Sequence, residues 1–158
     1  MNAERRCFDA DCESAQVAIG RRLVRACDDQ ALIFLRGDLG AGKTTLTRGV
    51  LRGLGYDGAV KSPTYTLIEP YALPAGRVNH LDLYRVGDPG ELEYLGLREL
   101  LEEPAITIIE WPERGEGWLP RPDLDIAISH TNIGRRLCIV ATTARGGEIL
   151  AMLADDLQ

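Results

Sequence analysis

The chain has 158 residues, 45% of them hydrophobic and 27% charged, a composition that suits one globular domain with a buried core. No stretch approaches the run of about 18 apolar residues that a membrane span needs, and residues 1–11 lack the order of a secretory signal. Its 18 basic and 24 acidic residues leave a net charge of −6, which argues against a protein that grips nucleic acid by itself. A cytoplasmic protein without membrane contact is expected. The four cysteines, Cys7, Cys12, Cys27 and Cys138, include no CxxC pair, and only His80 and His130 are available to complete a metal cluster. They are read as reduced structural or surface thiols.

In chain order, Arg5–Phe8 is a short strand and Asp11 an N-cap candidate. Ala15, Ala18, Ile19, Leu23, Ala26 and Cys27 then recur at helical spacing. Ala31–Leu35 is a compact, partly β-branched apolar run, the signature of a buried strand. A glycine-rich loop follows, and a helix begins near Lys43 with Leu46, Val50, Leu51 and Leu54 along one side, ended by Gly55. Strands are predicted at Tyr65–Glu69, Arg77–Leu83 and Ala105–Ile109. A helical segment at Glu91–Leu101 lies between the last two, and Gly96 divides it. Past the Pro-rich stretch Pro112–Pro122, Asp125–Ser129 and Arg136–Thr142 read as a hairpin joined by Asn132–Gly134. Glu148–Leu157 is a last short helix. This order predicts a three-layer α/β sandwich of the P-loop NTPase kind over residues 1–158, with a mixed, mostly parallel central sheet and a C-terminal antiparallel hairpin.

Gly37-Asp38-Leu39-Gly40-Ala41-Gly42-Lys43-Thr44 satisfies G-x-x-x-x-G-K-[ST] at every fixed position, between a predicted strand and a predicted helix. The glycines let successive backbone N–H groups turn inward as an anion nest. The helix N-terminus adds unpaired donors and a positive dipole end. Lys43 is assigned to the β and γ phosphates, the Thr44 hydroxyl to Mg²⁺, and Thr45 to the α-phosphate side. ATP or ADP with Mg²⁺ is the expected cofactor pair, and no guanine-reading N-K-x-D motif is present.

Such a loop needs a carboxylate at the end of a neighbouring buried strand. Ala105–Ile109 ends in Glu110, the first choice for the metal; Val78–Leu81 ends in Asp82, assigned to a second metal-side role or to orienting the attacking water. The two roles can be exchanged. Ser62-Pro63-Thr64 is a candidate switch that senses the γ-phosphate, or a turn opening a strand. Trp111 is a candidate to stack on a base or to pack against the loop. Basic clusters at Arg21, Arg22 and Arg25, at Arg48 and Arg52, and at Arg135 and Arg136 read as solvated helix faces and turns.

Four segments in this order resemble the TsaE (YjeE) family: the loop through Thr45, Ser62–Leu67, His80-Leu81-Asp82-Leu83-Tyr84-Arg85, and Ile109-Glu110-Trp111-Pro112-Glu113. The resemblance implies a compact α/β ATPase that acts on the TsaD–TsaB pair in forming N6-threonylcarbamoyladenosine at position 37 of tRNAs reading ANN codons. On this reading tRNA is met only through the complex. The resemblance also places Thr44 and Glu110 at Mg²⁺ and Asp82 in hydrolysis. The rival readings are a P-loop small-molecule kinase, for which Arg114 and Arg121 offer a sparse lid, and an assembly module with negligible turnover.

Overall fold

The computed structural model describes residues 4–64 and 66–156. Seven strands form one sheet in the order β1-β7-β6-β2-β5-β4-β3. They are β1 (Glu4–Ala10), β2 (Ala31–Arg36), β3 (Ile68–Leu73), β4 (Gly76–Asp82), β5 (Ile106–Glu110), β6 (Leu124–His130) and β7 (Arg135–Ala141). The centre, β6-β2-β5-β4, is parallel, and antiparallel partners flank it on both sides. Five of the seven strands therefore run in one direction, since β1 opposes β7 and β7 opposes β6.

Alternation along the strands assigns the two faces. Ile33 and Leu35 of β2, with Ile106 and Ile108 of β5, face one core with α1 (Glu13–Cys27), α2 (Lys43–Gly53) and α5 (Ala144–Asp156). Phe34 and Ile109 face the other, with α3 (Glu91–Tyr94) and α4 (Leu97–Glu102). These are the three layers expected of an α/β sandwich. Gly96 separates α3 from α4, taking the left-handed φ of 70° that halts the first helix.

Several boundaries differ from the sequence reading. The first helix is capped by Cys12 rather than Asp11, and no side chain bonds to its free N–H groups. The strand predicted at Tyr65–Glu69 begins later, at Ile68, with Tyr65 outside the described residues. A turn intervenes, in which the Leu67 N–H donates to the Pro63 carbonyl (2.8 Å) and Leu67 takes a φ of 67°. The last helix starts at Ala144, four residues before Glu148, and its predicted end at Leu157 lies outside the described residues. Thr143 caps it by accepting from the Gly146 N–H (2.9 Å). Gly146 lies so close to the Asp123 carbonyl that any side chain there would clash.

The expectation of four reduced thiols is corrected as well. Cys7 and Cys138 are joined as a disulfide across β1 and β7. The two residues face each other directly in the antiparallel register, with Cα atoms 4.1 Å apart. Strand pairing brings together cysteines that are 131 positions apart in sequence. Cys12 and Cys27 are free, the first exposed and the second buried.

Candidate functional site

The loop after β2 leads directly into α2, and its backbone takes the geometry its glycines allow. Gly40 and Gly42 adopt φ of 82° and 105°, a region closed to most side chains. The Asp38 carbonyl accepts from the Ala41 N–H (3.0 Å), closing the turn. Two side chains from elsewhere in the fold hold the loop. Gln16 of α1 donates to the Gly42 carbonyl (2.6 Å). Arg135, at the start of β7, donates to the carbonyls of Ala41 (3.0 Å) and Gly40 (3.3 Å). These bonds take up the carbonyls of Gly40, Ala41 and Gly42 on the sides of the loop that face Gln16 and Arg135.

Lys43 opens α2 and is 6% exposed. Its Nζ donates to the Gly37 carbonyl (2.7 Å), lies 4.0 Å from Glu110 Oε1 and sits 4.1 Å from the centre of the Trp111 ring. A buried ammonium is stable only when so surrounded. The carboxylates follow from strand alternation. His80 and Asp82 of β4 share a face with Ile106, Ile108 and Glu110 of β5, and Asp82 stands beside Glu110 in the parallel register. That is the face on which α2 lies.

The polar side chains at these strand ends bond to one another. Ser62 Oγ donates to Asp82 Oδ2 (2.6 Å) and lies 3.4 Å from Glu110 Oε2, while Thr64 Oγ1 reaches Asp82 Oδ2 at 3.3 Å. The Tyr84 N–H donates to the other oxygen of Asp82 (2.9 Å). His80 Nε2 lies 2.5 Å from Glu110 Oε2, and its Nδ1 has no partner among the described residues, which assigns the ring proton to Nε2 as donor to the Glu110 carboxylate. Both carboxylates are almost completely buried.

The result is a cleft of about 330 Å³. Its lining includes Gly40, Gly42, Lys43, Thr44 and Thr45 from the loop and helix, and Ser62, Thr64, Asp82, Glu110 and Trp111 from beyond them. Most of the residues singled out in the sequence thus meet around one space. Gly37, Asp38 and Ala41 shape the loop without lining the cleft. The Trp111 ring packs on Lys43 and lies 5.0 Å from the Tyr84 ring, so it covers the lysine in this structure. Two carboxylates and the Thr44 hydroxyl are a donor set that suits Mg²⁺, which keeps most of its waters and takes one or two carboxylates beside phosphate oxygens.

Sequence reading missed Gln16, Arg135 and the role of His80. Gln16 is a polar residue in line with Ile19 and Leu23 on the buried face of α1, a position that asks for a specific partner. Arg135 reads locally as a turn residue, and nothing near it in sequence points to a loop 94 residues away.

Strand, G-x-x-x-x-G-K-T loop, helix and two flanking strand-end carboxylates place the molecule among the α/β proteins built on a P-loop. Within that class the chain belongs to the TsaE family: residues 10–137 match the family described as threonylcarbamoyl adenosine biosynthesis protein TsaE. It is 45% identical over 124 residues to the tRNA threonylcarbamoyladenosine biosynthesis protein TsaE of Haemophilus influenzae, covering 78% of each chain. To the TsaE protein of Bacillus subtilis it is 40% identical over 105 residues, 66% of this chain and 65% of that one. The crystal structure of YdiB from Bacillus subtilis superposes with a TM-score of 0.86 at 26% identity, over 100% of this chain and 99% of that one.

Proposed function

We propose that this chain, acting over residues 1–158 as one cytoplasmic ATPase domain, binds and hydrolyses ATP with Mg²⁺ to support formation of N6-threonylcarbamoyladenosine at position 37 of tRNAs reading ANN codons. Its target is the TsaD–TsaB pair, and tRNA is met through that complex. The observation that carries this reading is the buried Lys43 ammonium at the glycine loop, lining one cleft with Asp82 and Glu110.

Gly40 and Gly42 let the backbone approach the phosphates, and the α2 N-terminus favours their charge. Lys43 exchanges its bond to the Gly37 carbonyl for the β and γ phosphates. Thr44 and Glu110 would hold Mg²⁺, which when bound neutralises charge on the phosphate oxygens. Asp82 orients the attacking water, with Ser62 and Thr64 fixing its carboxylate. Ser62 bridges both carboxylates, so a change at either is felt in the segment that precedes β3.

A small-molecule kinase is disfavoured by what surrounds the cleft. Arg114 lies with its guanidinium carbon 5.8 Å from the centre of the Tyr84 ring, set against an aromatic face. An acceptor-clamping lid needs arginines directed at phosphate.

The test is phosphate release by the isolated chain, alone and with TsaD–TsaB and tRNA. Slow turnover that rises with the partners is expected, with Lys43→Ala reducing it at least 100-fold while the circular dichroism spectrum stays native. Turnover of Lys43→Ala at the normal rate would overturn the assignment of the cleft.

A further inference from the structure

Opposite the face that carries α1 and α2, a groove of about 490 Å³ runs between α3–α4 and the connection from β5 to β6. Leu92, Leu97 and Leu101 form one side and Trp118, Leu119 and Pro120 the other. Two aromatic rings stand in solvent near it: Tyr94 is 93% exposed and Trp118 45%. Large aromatic side chains left exposed around an apolar recess mark a surface that another molecule covers.

Charge decides what kind of molecule. Residues 88–103 carry six carboxylates (Asp88, Glu91, Glu93, Glu99, Glu102 and Glu103) against one arginine, Arg98. The stretch carries a net of −5, and three of its six carboxylates line the groove itself together with Arg98. Glu93, Glu99 and Glu102 line it, and they enter no salt bridge among the described residues. Such a field repels nucleic acid and acidic membrane surfaces, and it steers basic partners inward.

We propose that this groove is a docking surface for a protein partner that inserts an apolar side-chain row flanked by lysine or arginine. Leucine-like side chains fill the recess between Leu97 and Trp118, and the flanking cations meet Glu93, Glu99 and Glu102. The connection that forms one wall at Gly117–Pro120 starts from Trp111, which lines the cleft six residues earlier.

The test uses the full chain and a fluorescein-labelled amphipathic peptide of leucine and lysine, with a leucine–glutamate peptide as its counterpart. The lysine peptide should bind and weaken with added salt, and the glutamate peptide should not bind. Glu99→Lys with Glu102→Lys should lower affinity at least tenfold, and Trp118→Ala should lower it about fivefold. Glu148→Lys, an exposed site on α5 away from the groove, should change it less than twofold. Native circular dichroism and unchanged basal phosphate release in the Glu99/Glu102 variant would show that the fold and cleft are intact. Equal weakening by Glu148→Lys, wild-type affinity in the groove variants, or binding of the glutamate peptide would each overturn the proposal.

Discussion

At the scale of single residues, the cleft is governed by which side chains are buried and what each bonds to. Glu110 sits between the Lys43 ammonium and the His80 ring, so its carboxylate is held from two directions before any ligand arrives. Glu110→Gln keeps the shape and removes the charge. We expect it to raise the Mg²⁺ concentration needed for half-maximal nucleotide binding at least tenfold, measured by titration calorimetry. An unchanged metal titration would transfer the metal role to Asp82.

The free cysteines make a second residue-scale contrast. Burial pushes the Cys27 thiol up to about 12, outweighing the opposing pull of Arg145. The exposed Cys12 thiol is lowered, chiefly by its hydrogen bond with Ser14. Maleimide should therefore modify Cys12 in the native protein and reach Cys27 only on unfolding. The sign of the pH effect follows. Above pH 9 the unfolded chain gives up the Cys27 proton while the folded chain keeps it, so this contribution to stability is full below 9 and is lost between 9 and 12. The slope is about 1.4 kcal/mol per pH unit. Urea titrations at pH 8 and 10, comparing wild type with Cys27→Ala, should show a larger alkaline loss in the wild type.

At the scale of elements, the loop depends on how closely α1 and α2 pack. A β-carbon on Gly49 would lie 2.4 Å from the Val17 carbonyl oxygen and 3.0 Å from Gly20 Cα, so the helices touch backbone to backbone. Alanine normally favours a helix over glycine by about 1 kcal/mol. Here forced separation should cost about 1–3 kcal/mol, and overpacking wins. Gly49→Ala should lower stability in urea and also weaken nucleotide binding, because α1 carries Gln16 and with it the bond to Gly42. A stabilised variant would show that the helices can part freely.

The β6–β7 hairpin carries Arg135, the second side chain that holds the loop. Its pairing was legible locally, since two alternating apolar runs flank Asn132–Gly134. Its use was not, because Arg135 bonds carbonyls that only the sheet brings within reach.

At the scale of the molecule, the disulfide joins the strand that opens the chain to one near its end. With 131 positions between Cys7 and Cys138, loss of the crosslink should free considerable chain entropy in the unfolded state, up to about 5 kcal/mol. Reduction by dithiothreitol, or Cys7→Ser with Cys138→Ser, should lower Tm by several degrees, read by thermal unfolding. Nucleotide binding should persist, because β1 lies at the far edge of the sheet from β4 and β5. An unchanged Tm on reduction would show that strand pairing alone holds β1.

What the sequence determined by itself is the local grammar of the site. The strand–loop–helix unit at 31–54 and the acids ending two strands are readable because glycine conformation, helix termini and apolar runs act over a few residues. Those same segments carry the resemblance to the family that the chain proved to belong to. The tertiary structure alone decided how distant pieces meet. The Cys7–Cys138 pairing, the hold of Gln16 and Arg135 on the loop, the contact of His80 with Glu110 and the acidic groove behind the sheet all join elements that are far apart in sequence. Strand order and helix crossing set those distances. They arise from burying two faces of one sheet at once, a condition no short stretch of residues can express.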